Sequence, residues 1–460
     1  MAEVLEKQYT ARKVAERQEQ LLSLAKTALS ASPADQTLVR IAATDGALTR
    51  FANSTIHQNT FEREATAAIT ARLGQRAGTV TTNRLSEEGL RNAVQQAFNA
   101  ARVSQPNPDL ADLPEGPREY PFQVDYFENT AATTPEERAK LALAGFNAGD
   151  DPAFSAAGTL YTGQLNYAVA NSRGIEAAFS TTSAKYTVLW SGPDSSGYAE
   201  SVSRNVKDID AAGMALNALS TAKRSANPRR DLPAGRYTVV LGPECIATML
   251  NFLCWLGFSG KDYNDHSSFM CGKMGEVVTG PDITILDDGL DPRTLGVPCD
   301  NAGLPRQRLM LIEGGVARAV AHDVNTALKA GTQTTAHDTG FNYPLPGNLI
   351  LMPGNLSRND LIAGVERGVY VSRFHYTNVV DPLNTVITGM TRDGTFLIEN
   401  GEIAQGLTNF RFTQNILSAF AAATGIGAEL VYHGTFWGSG SLVPEAMRVE
   451  GFNFSGKTEF

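Results

Sequence analysis

Over its C-terminal half, the chain is a succession of short apolar runs separated by turns that contain glycine. The turn dipeptides Asp393-Gly394 and Asn400-Gly401 lie between runs rich in β-branched and aromatic residues, and this pattern predicts the hairpins of a β-meander. Because strands must pair with one another to satisfy their backbone groups, we expect residues 233–460 to form one large β-rich domain.

The first half of the chain predicts two smaller α+β units, residues 1–118 and 119–232. A linker rich in proline and acidic residues lies between them, and a second linker, "SANPRRDLPAG", leads to the C-terminal domain. Residues 9–30 have the spacing of an amphipathic helix. Ser86 is placed to cap a second helix, and Thr134 begins a capping box for a third. Strand-like runs follow the first and the third of these helices, so the predicted fold class is α+β.

Composition narrows the classes of function. The chain has 460 residues, 42% of them hydrophobic, which is enough for two or three domains with real cores. Its formal net charge of −9 disfavours a general nucleic-acid binder. The apolar runs are interrupted by polar residues and glycine, which argues against a membrane span. The first residues are charged, which argues against a signal peptide, and four cysteines do not make a disulfide framework. We therefore expect a soluble, cytoplasmic protein with no membrane or nucleic-acid partner.

The stretch Gly242-Pro243-Glu244-Cys245-Ile246-Ala247-Thr248 closes an apolar strand and opens a helix. A glutamate at this place could act as the general base of a zinc hydrolase if histidines stood one residue before it and four after. Those two positions hold Pro243 and Thr248. Proline has no donor atom and a threonine hydroxyl is a poor zinc ligand, so we expect Glu244 to lack a metal.

Other metal or nucleophile sites are weaker in the sequence. Cys245, Cys254, His266 and Cys271 lie within one segment, but no two of them form a C-x-x-C pair, and buried free thiols are the commoner explanation. No G-x-S-x-G motif and no phosphate-binding loop with its full spacing occurs.

The densest polar constellation lies in residues 366–403 and comprises Arg373, His375, Asp381 and Arg392. A histidine beside aromatic residues is more often packed in a core than used as a base, and Arg392 precedes a turn dipeptide. Because side chains alternate along a strand, Arg373 and His375 are expected on one face, exposed toward a substrate or partner. Phe374 and Tyr376 are expected to pack into the sheet.

Residues 360–420, including the order "ERGVYVSRFHY", "VDP" and "TRDGTFLIENGEI", resemble the C-terminal domain of the TldD/PmbA family, also called TldD/TldE modulators of DNA gyrase. The stretches "FANSTIHQN", "NSRGIEAAFS" and "GLPRQRLMLIEGGVARAVAHDVNTALKAGTQTTAH" extend the resemblance over nearly the whole chain.

The resemblance implies a two-subunit metalloprotease. In that family the TldD-type subunit carries H-E-x-x-x-H on a helix and a further cysteine ligand near its C-terminus, whereas the TldE/PmbA-type subunit lacks them. Here the motif aligns with Pro243, Glu244 and Thr248, and residues 434–460 contain no cysteine. The chain is therefore similar to the TldE/PmbA-type subunit, with zinc expected in a TldD-type partner and none bound by this chain.

The function implied is that of a non-catalytic subunit which, in a heterodimer, helps to cleave or mature unfolded peptides and small proteins. Two alternatives stay open. One is an independent hydrolase or amide-bond enzyme that uses His375 and its neighbours. The other is a stand-alone homodimer that binds peptides.

Overall fold

The structure is a computed structural model that describes residues 2–122, 124–149, 151–434 and 440–458, with side chains from Thr10 onward. An N-terminal sheet with its helices is followed by a large β-rich part that holds two further sheets. The predicted α+β class and the β-rich C-terminal half are confirmed. Within the described ranges, no helix has the length and apolarity needed to cross a bilayer.

The N-terminal sheet is antiparallel, with the strand order β3-β2-β1-β4-β5-β6. Its strands are β1 (Gln36–Ala52), β2 (Thr55–Leu73), β3 (Arg76–Thr82), β4 (Ser155–Asn171), β5 (Glu176–Ser191) and β6 (Ser196–Ser203). The central pair β1–β4 runs from Leu38 opposite Asn171 to Phe51 opposite Gly158. This pairing joins the two predicted N-terminal units in one continuous sheet.

Helices cover one face of this sheet. They are α1 (Ala2–Ser30), α2 (Glu87–Val103), α3 (Glu128–Ala131), α4 (Pro135–Asn147) and α5 (Ala211–Arg224). The predicted caps of α2 and α4 are confirmed: Ser86 accepts a hydrogen bond from the Gly89 amide, and Thr134 forms a capping box with Glu137. These bonds satisfy amides that would otherwise lack partners at the helix start. The helices bury apolar faces, and so leave the opposite face of the β1–β3 region for the C-terminal half.

The first C-terminal sheet closes on itself. Its strands are β7 (Gly235–Leu241), β12 (Arg367–Asp381), β13 (Val386–Glu399), β14 (Glu402–Gly406), β15 (Phe410–Asn415), β16 (Ala423–Ile426) and β19 (Met447–Lys457). The order is β12-β7-β19-β15-β13-β14, and β12 also pairs with β13. A small barrel results, filled by the stacked rings of Phe374, Phe410, Phe412, Phe452 and Phe454.

The second C-terminal sheet has the order β10-β9-β8-β11-β18-β17. Its strands are β8 (Ile285–Asp287), β9 (Leu309–Glu313), β10 (Val316–Ala317), β11 (Asn348–Leu351), β17 (Leu430–Gly434) and β18 (Gly440–Pro444). The helices of this half are α6 (Pro243–Gly257), α7 (Gly260–Asn264), α8 (Val324–Ala330), α9 (Arg358–Ala363) and α10 (Ile416–Ala421). Helix α6 packs against both sheets and buries most of its length in the largest core.

Two local predictions in the meander were wrong. Asp393-Gly394 does not reverse the chain; it lies inside β13, where two residues oppose Ser372 alone and form a bulge. Tyr376 does not pack into the sheet: it sits on a second irregularity of β12 with φ of 49° and is 78% exposed. Phe374 is buried, as predicted. The period-two rule fails at Tyr376 because the bulge interrupts the alternation of side chains.

Candidate functional site

The candidate site forms where the first turn of α6 meets the N-terminal sheet. Gly242 caps α6 in an extended conformation, and its amide donates to the Val371 carbonyl at 2.8 Å. A Cβ at Gly242 would lie 2.9 Å from the Ser372 oxygen, so this close approach of α6 to β12 requires glycine. Pro243 then occupies the first helical position, where its missing amide hydrogen costs nothing. Glu244 is thereby fixed beside β12 in the first turn.

Neither position flanking Glu244 offers a metal ligand. Pro243 has no side-chain donor atom, and the Thr248 hydroxyl donates to the Glu244 carbonyl oxygen at 2.8 Å within the helix. Cys245 points away from the site, because its thiol donates to the Val371 carbonyl and is fully buried. Burial raises the pKa of that thiol well above its ordinary value, so it is not a thiolate.

Glu244 instead faces His433, which lies near the end of β17. The His433 Nδ1 atom lies 3.4 Å from the Glu244 Oε1 atom, an ion-pair distance. The two side chains are 8% and 25% exposed. Neither ring nitrogen of His433 has a well-aligned hydrogen-bond partner among the described residues. A carboxylate thus pairs with an imidazole at the place where the family motif would hold a metal.

The electrostatic environment favours the charged form of both groups. Burial raises the pKa of Glu244, but the neighbouring His433, and then Arg373 and Lys185, outweigh burial and lower it below the ordinary value. Burial lowers the pKa of His433, yet Glu244 outweighs that effect and raises it. Glu244 is therefore held as a carboxylate by its pairing with His433.

Arg373 connects this pair to the N-terminal sheet. Its guanidinium carbon lies 3.9 Å from the centroid of the Tyr198 ring, a cation–π contact. Its Nη1 atom donates to the Asp393 Oδ2 atom at 2.7 Å, and the Ser196 hydroxyl donates to the other oxygen of Asp393 at 2.6 Å. The bulge in β13 explains this geometry, because it turns the Asp393 carboxylate toward β6.

A second carboxylate completes the arrangement from the N-terminal side. The Glu200 Oε2 atom accepts a hydrogen bond from the Tyr198 hydroxyl at 2.8 Å and lies 2.9 Å from the Lys185 ammonium. We call the whole set the junction cluster; its members are Lys185, Tyr198, Glu200, Glu244, Arg373, Asp393 and His433. Its charges alternate in sign, and it bridges β5 and β6 to β12, β13, α6 and β17.

The residues predicted as a substrate or partner face do not all come together. Arg373 belongs to the junction cluster, and Arg392 opposes it across the β12–β13 pair with its side chain 43% exposed. His375 contacts the Tyr376 ring edge-on, with centroids 4.6 Å apart. Asp381 lies at the far end of the hairpin, where it accepts hydrogen bonds from the backbone and side chain of Asn384. A substrate or partner role for these residues stays a prediction.

The residues present do not fit zinc. In the part of the chain that the structure describes, no three histidine, cysteine, aspartate or glutamate side chains are grouped so as to hold a metal ion. Of the junction cluster, His433 and Glu244 could each supply one donor atom, whereas the carboxylates of Glu200 and Asp393 are already paired with Lys185 and Arg373. The two cations also add positive charge that opposes a divalent cation. Residues 435–439 of the cysteine-free C-terminal segment lie outside the described ranges.

Sequence reasoning missed His433, Lys185, Tyr198 and Glu200. His433 had a signal, since it directly precedes the glycine-rich segment in which the family's cysteine ligand would be sought. The other three lie on β5 and β6, and no local pattern relates them to α6. Only the packing of the two halves brings them together.

Comparison with known proteins agrees with this architecture. The family model described as PmbA/TldA metallopeptidase C-terminal domain matches residues 234–456 of this chain. The family model described as PmbA/TldA metallopeptidase domain 1 matches residues 39–101. The crystal structure of TldE from Thermococcus kodakarensis superposes with a TM-score of 0.85 at 20% identity, covering 96% of this chain and 100% of that one. That likeness concerns the fold.

Curated relatives point to the same family. A metalloprotease TldD homologue of Haemophilus influenzae is 32% identical over 179 residues, 38% of this chain and 37% of that protein. A metalloprotease PmbA homologue of the same organism is 23% identical over 414 residues, 85% of this chain and 87% of that protein. The chain spans between 37% and 62% of the length of the first three curated relatives that it matches. With the two domain matches, these relatives show that the chain belongs to the PmbA/TldD metallopeptidase family.

Proposed function

We propose that this chain is the non-catalytic, TldE/PmbA-type subunit of a two-subunit zinc metallopeptidase whose metal lies in a TldD-type partner. The observation that carries the proposal is the junction cluster. Where a zinc-binding helix would present two histidines around its glutamate, Pro243 and Thr248 supply no free donor, and Glu244 faces His433 and Arg373.

The chemistry supports a structural role for Glu244. In a zinc peptidase the metal lowers the pKa of bound water, and a glutamate accepts the water proton. Here basic side chains of the same chain neutralise the carboxylate. His433 forms an ion pair with Glu244, and the charges of Arg373 on β12 and Lys185 on β5 also stabilise the carboxylate, so the charge that would serve catalysis helps instead to join the two halves of the molecule.

The substrate class follows from the family and stays part of the proposal. We infer that the complete enzyme cleaves or matures unfolded peptides and small proteins in the cytoplasm, and that this chain shapes the space in which the peptide lies. Pro243 and Thr248, which stand at the positions of the motif's histidines, favour the TldE/PmbA assignment. The match to a PmbA homologue is longer than the match to a TldD homologue but less identical.

Metal content and partner binding of the purified protein test the proposal. After incubation with zinc and desalting, the chain should retain well under one zinc ion per molecule, because its first α6 turn offers too few donors. The affinity-tagged chain should retain a TldD-type protein that is co-expressed with it. The Cys271→Ala variant controls for zinc held by a partly exposed thiol.

One zinc ion per chain that persists in Cys271→Ala would contradict the assignment. So would a chain that elutes alone in the presence of every TldD-type protein of its own organism, since a non-catalytic subunit has no activity without its partner.

A further inference from the structure

A second candidate site lies at the end of the N-terminal sheet opposite to β5 and β6, between that sheet and the C-terminal half. A pocket of about 490 Å³ separates the uncovered face of β1–β3 from α7 and α8. Its floor includes Arg40, Thr70 and Arg72 on β1 and β2, and its opposite wall includes Asp323 and Lys329. This volume lies within the range of small-molecule pockets.

Arg72 is a buried cation that forms no close ion pair, although the carboxylates of Asp338, Asp112 and Asp323 stabilise its charge from farther away. The residue is 8% exposed, and no carboxylate lies within ion-pair distance of its guanidinium among the described residues. It donates one hydrogen bond, from Nη1 to the Ala111 carbonyl, and its Nε atom has no partner. A buried guanidinium that makes so few bonds is costly unless another group satisfies it.

Arg40 adds a second guanidinium to the same pocket. It lies on the same face of the sheet as Arg72, since Arg40 is paired with Ala68 and Gln36 with Arg72. Within the described ranges its side chain has neither a hydrogen bond nor an ion pair. Its Nη1 atom lies so close to Gly340 that a Cβ there would approach it to 2.5 Å, which holds the side chain against the pocket wall.

Five of the other six charged side chains of the pocket are already engaged, and the sixth is Asp109. Lys261 and Lys329 both bind Asp265, at 2.7 and 2.9 Å. Asp323 accepts hydrogen bonds from the amide and hydroxyl of Thr326 and so caps α8. Asp338 accepts from the Gly340 amide at 2.6 Å. The two arginines are therefore the cations that remain available to a ligand.

We propose that this pocket binds the free C-terminal carboxylate of a short peptide through Arg40 and Arg72. Arginine presents paired donors that match a carboxylate. Four basic and four acidic side chains line the pocket, so a zwitterionic peptide leaves the charge balanced, whereas a phosphate dianion adds two uncompensated negative charges. That the carboxylate belongs to a peptide rests on the proposed function, in which such peptides are products.

Calorimetric titration of the isolated chain tests this proposal without any partner. The probes are trialanine with a free C-terminus, trialanine amide and inorganic phosphate. Trialanine should bind at one site per chain. The amide and phosphate should each bind about tenfold more weakly or not at all. The amide lacks the negative charge of the carboxylate, and phosphate carries more negative charge than the pocket balances.

Arg40→Gln should weaken trialanine binding about tenfold or more, and Arg72→Lys should weaken it while keeping the buried charge. Arg50→Gln is the matched control, since Arg50 lies exposed on the same strand outside the pocket, and it should bind as the unchanged chain does. Melting curves identify any variant that fails to fold.

The proposal is wrong if trialanine does not bind, if amide or phosphate binds as tightly, or if Arg40→Gln leaves the affinity unchanged. Because no catalysis is measured, these results are independent of whether a mixed complex with a TldD-type protein cleaves peptides.

Discussion

At the scale of single residues, Glu244 is held as an anion by protein cations. Its pKa is lowered from 4.5 and that of His433 is raised from 6.5, in each case against the effect of burial. The stabilisation from Glu244 is present above its unfolded pKa and is lost as the pH falls through its folded pKa. The stabilisation from His433 is complete below its unfolded pKa and is lost as the pH rises through its folded pKa. Their mutual attraction is therefore greatest between about pH 4.5 and 6.5.

Glu244→Gln should lower the free energy of unfolding by about 1–3 kcal/mol near pH 5.5, because it leaves His433 without its counter-charge. The loss should be smaller near pH 8.5 than near pH 5.5, because His433 loses its charge as the pH rises through its raised folded pKa. Thermal melting at both pH values measures the difference. Glu136→Gln, in the first turn of α4, is the control for the helix dipole alone and should cost about 0.3–1 kcal/mol at either pH. A Glu244→Gln effect equal to that control would contradict the ion pair.

Phe374 and Tyr376 are close in sequence but should differ sharply in their effect on stability. Phe374→Ala should cost about 3–5 kcal/mol, since the ring stacks on Phe412 and Phe452 inside the barrel. Tyr376→Ala should change stability by about 0.5 kcal/mol or less, because the side chain is largely exposed. Denaturant unfolding measures both. A large loss for Tyr376→Ala would mean that its ring packs against the molecule.

At the scale of elements, the bulge in β13 connects the barrel to the N-terminal sheet. Gly394 has φ of 121°, and a Cβ there would lie 2.5 Å from the Ser372 hydroxyl and 2.7 Å from a Thr221 methyl group. Gly451 has φ of 64° with open space around it. Gly394→Ala should therefore cost about 3 kcal/mol in unfolding experiments, against about 1 kcal/mol for Gly451→Ala. Equal losses would show that close packing at the bulge contributes nothing.

Elements with local signals could be predicted from the sequence. Ser86, Thr134 and the strand–turn–helix at Gly242 fix helix starts through bonds between near neighbours, so their patterns are visible in the chain. Asp393-Gly394 shows the limit. The dipeptide specifies positive φ, which serves a hairpin turn and a bulge equally well, and the choice depends on Arg373 and Ser196 binding the carboxylate from distant positions.

At the scale of the whole molecule, the pairing of strands that are far apart in the sequence could not be predicted. The pairing of β1 with β4 and the closure of β12 on β13 depend on tertiary contacts, which leave no local periodicity. For the same reason, only part of the candidate site could be predicted from the sequence. Pro243, Glu244 and Thr248 could be interpreted against a motif, whereas Lys185 and Glu200 reach the site only because β5 and β6 pack against the C-terminal half.

The most direct test of the proposed non-catalytic role replaces one glutamate in this chain and, separately, one glutamate in the proposed partner. This chain and a TldD-type protein are mixed and assayed on an unfolded peptide, well below the melting temperature of either. Glu244→Gln in this chain should leave the rate of cleavage unchanged within about twofold, while glutamate to glutamine in the partner's H-E-x-x-x-H motif should lower it by about 10²-fold or more. The opposite pattern, with activity lost on Glu244→Gln in a complex that still forms, would place the catalytic base in this chain.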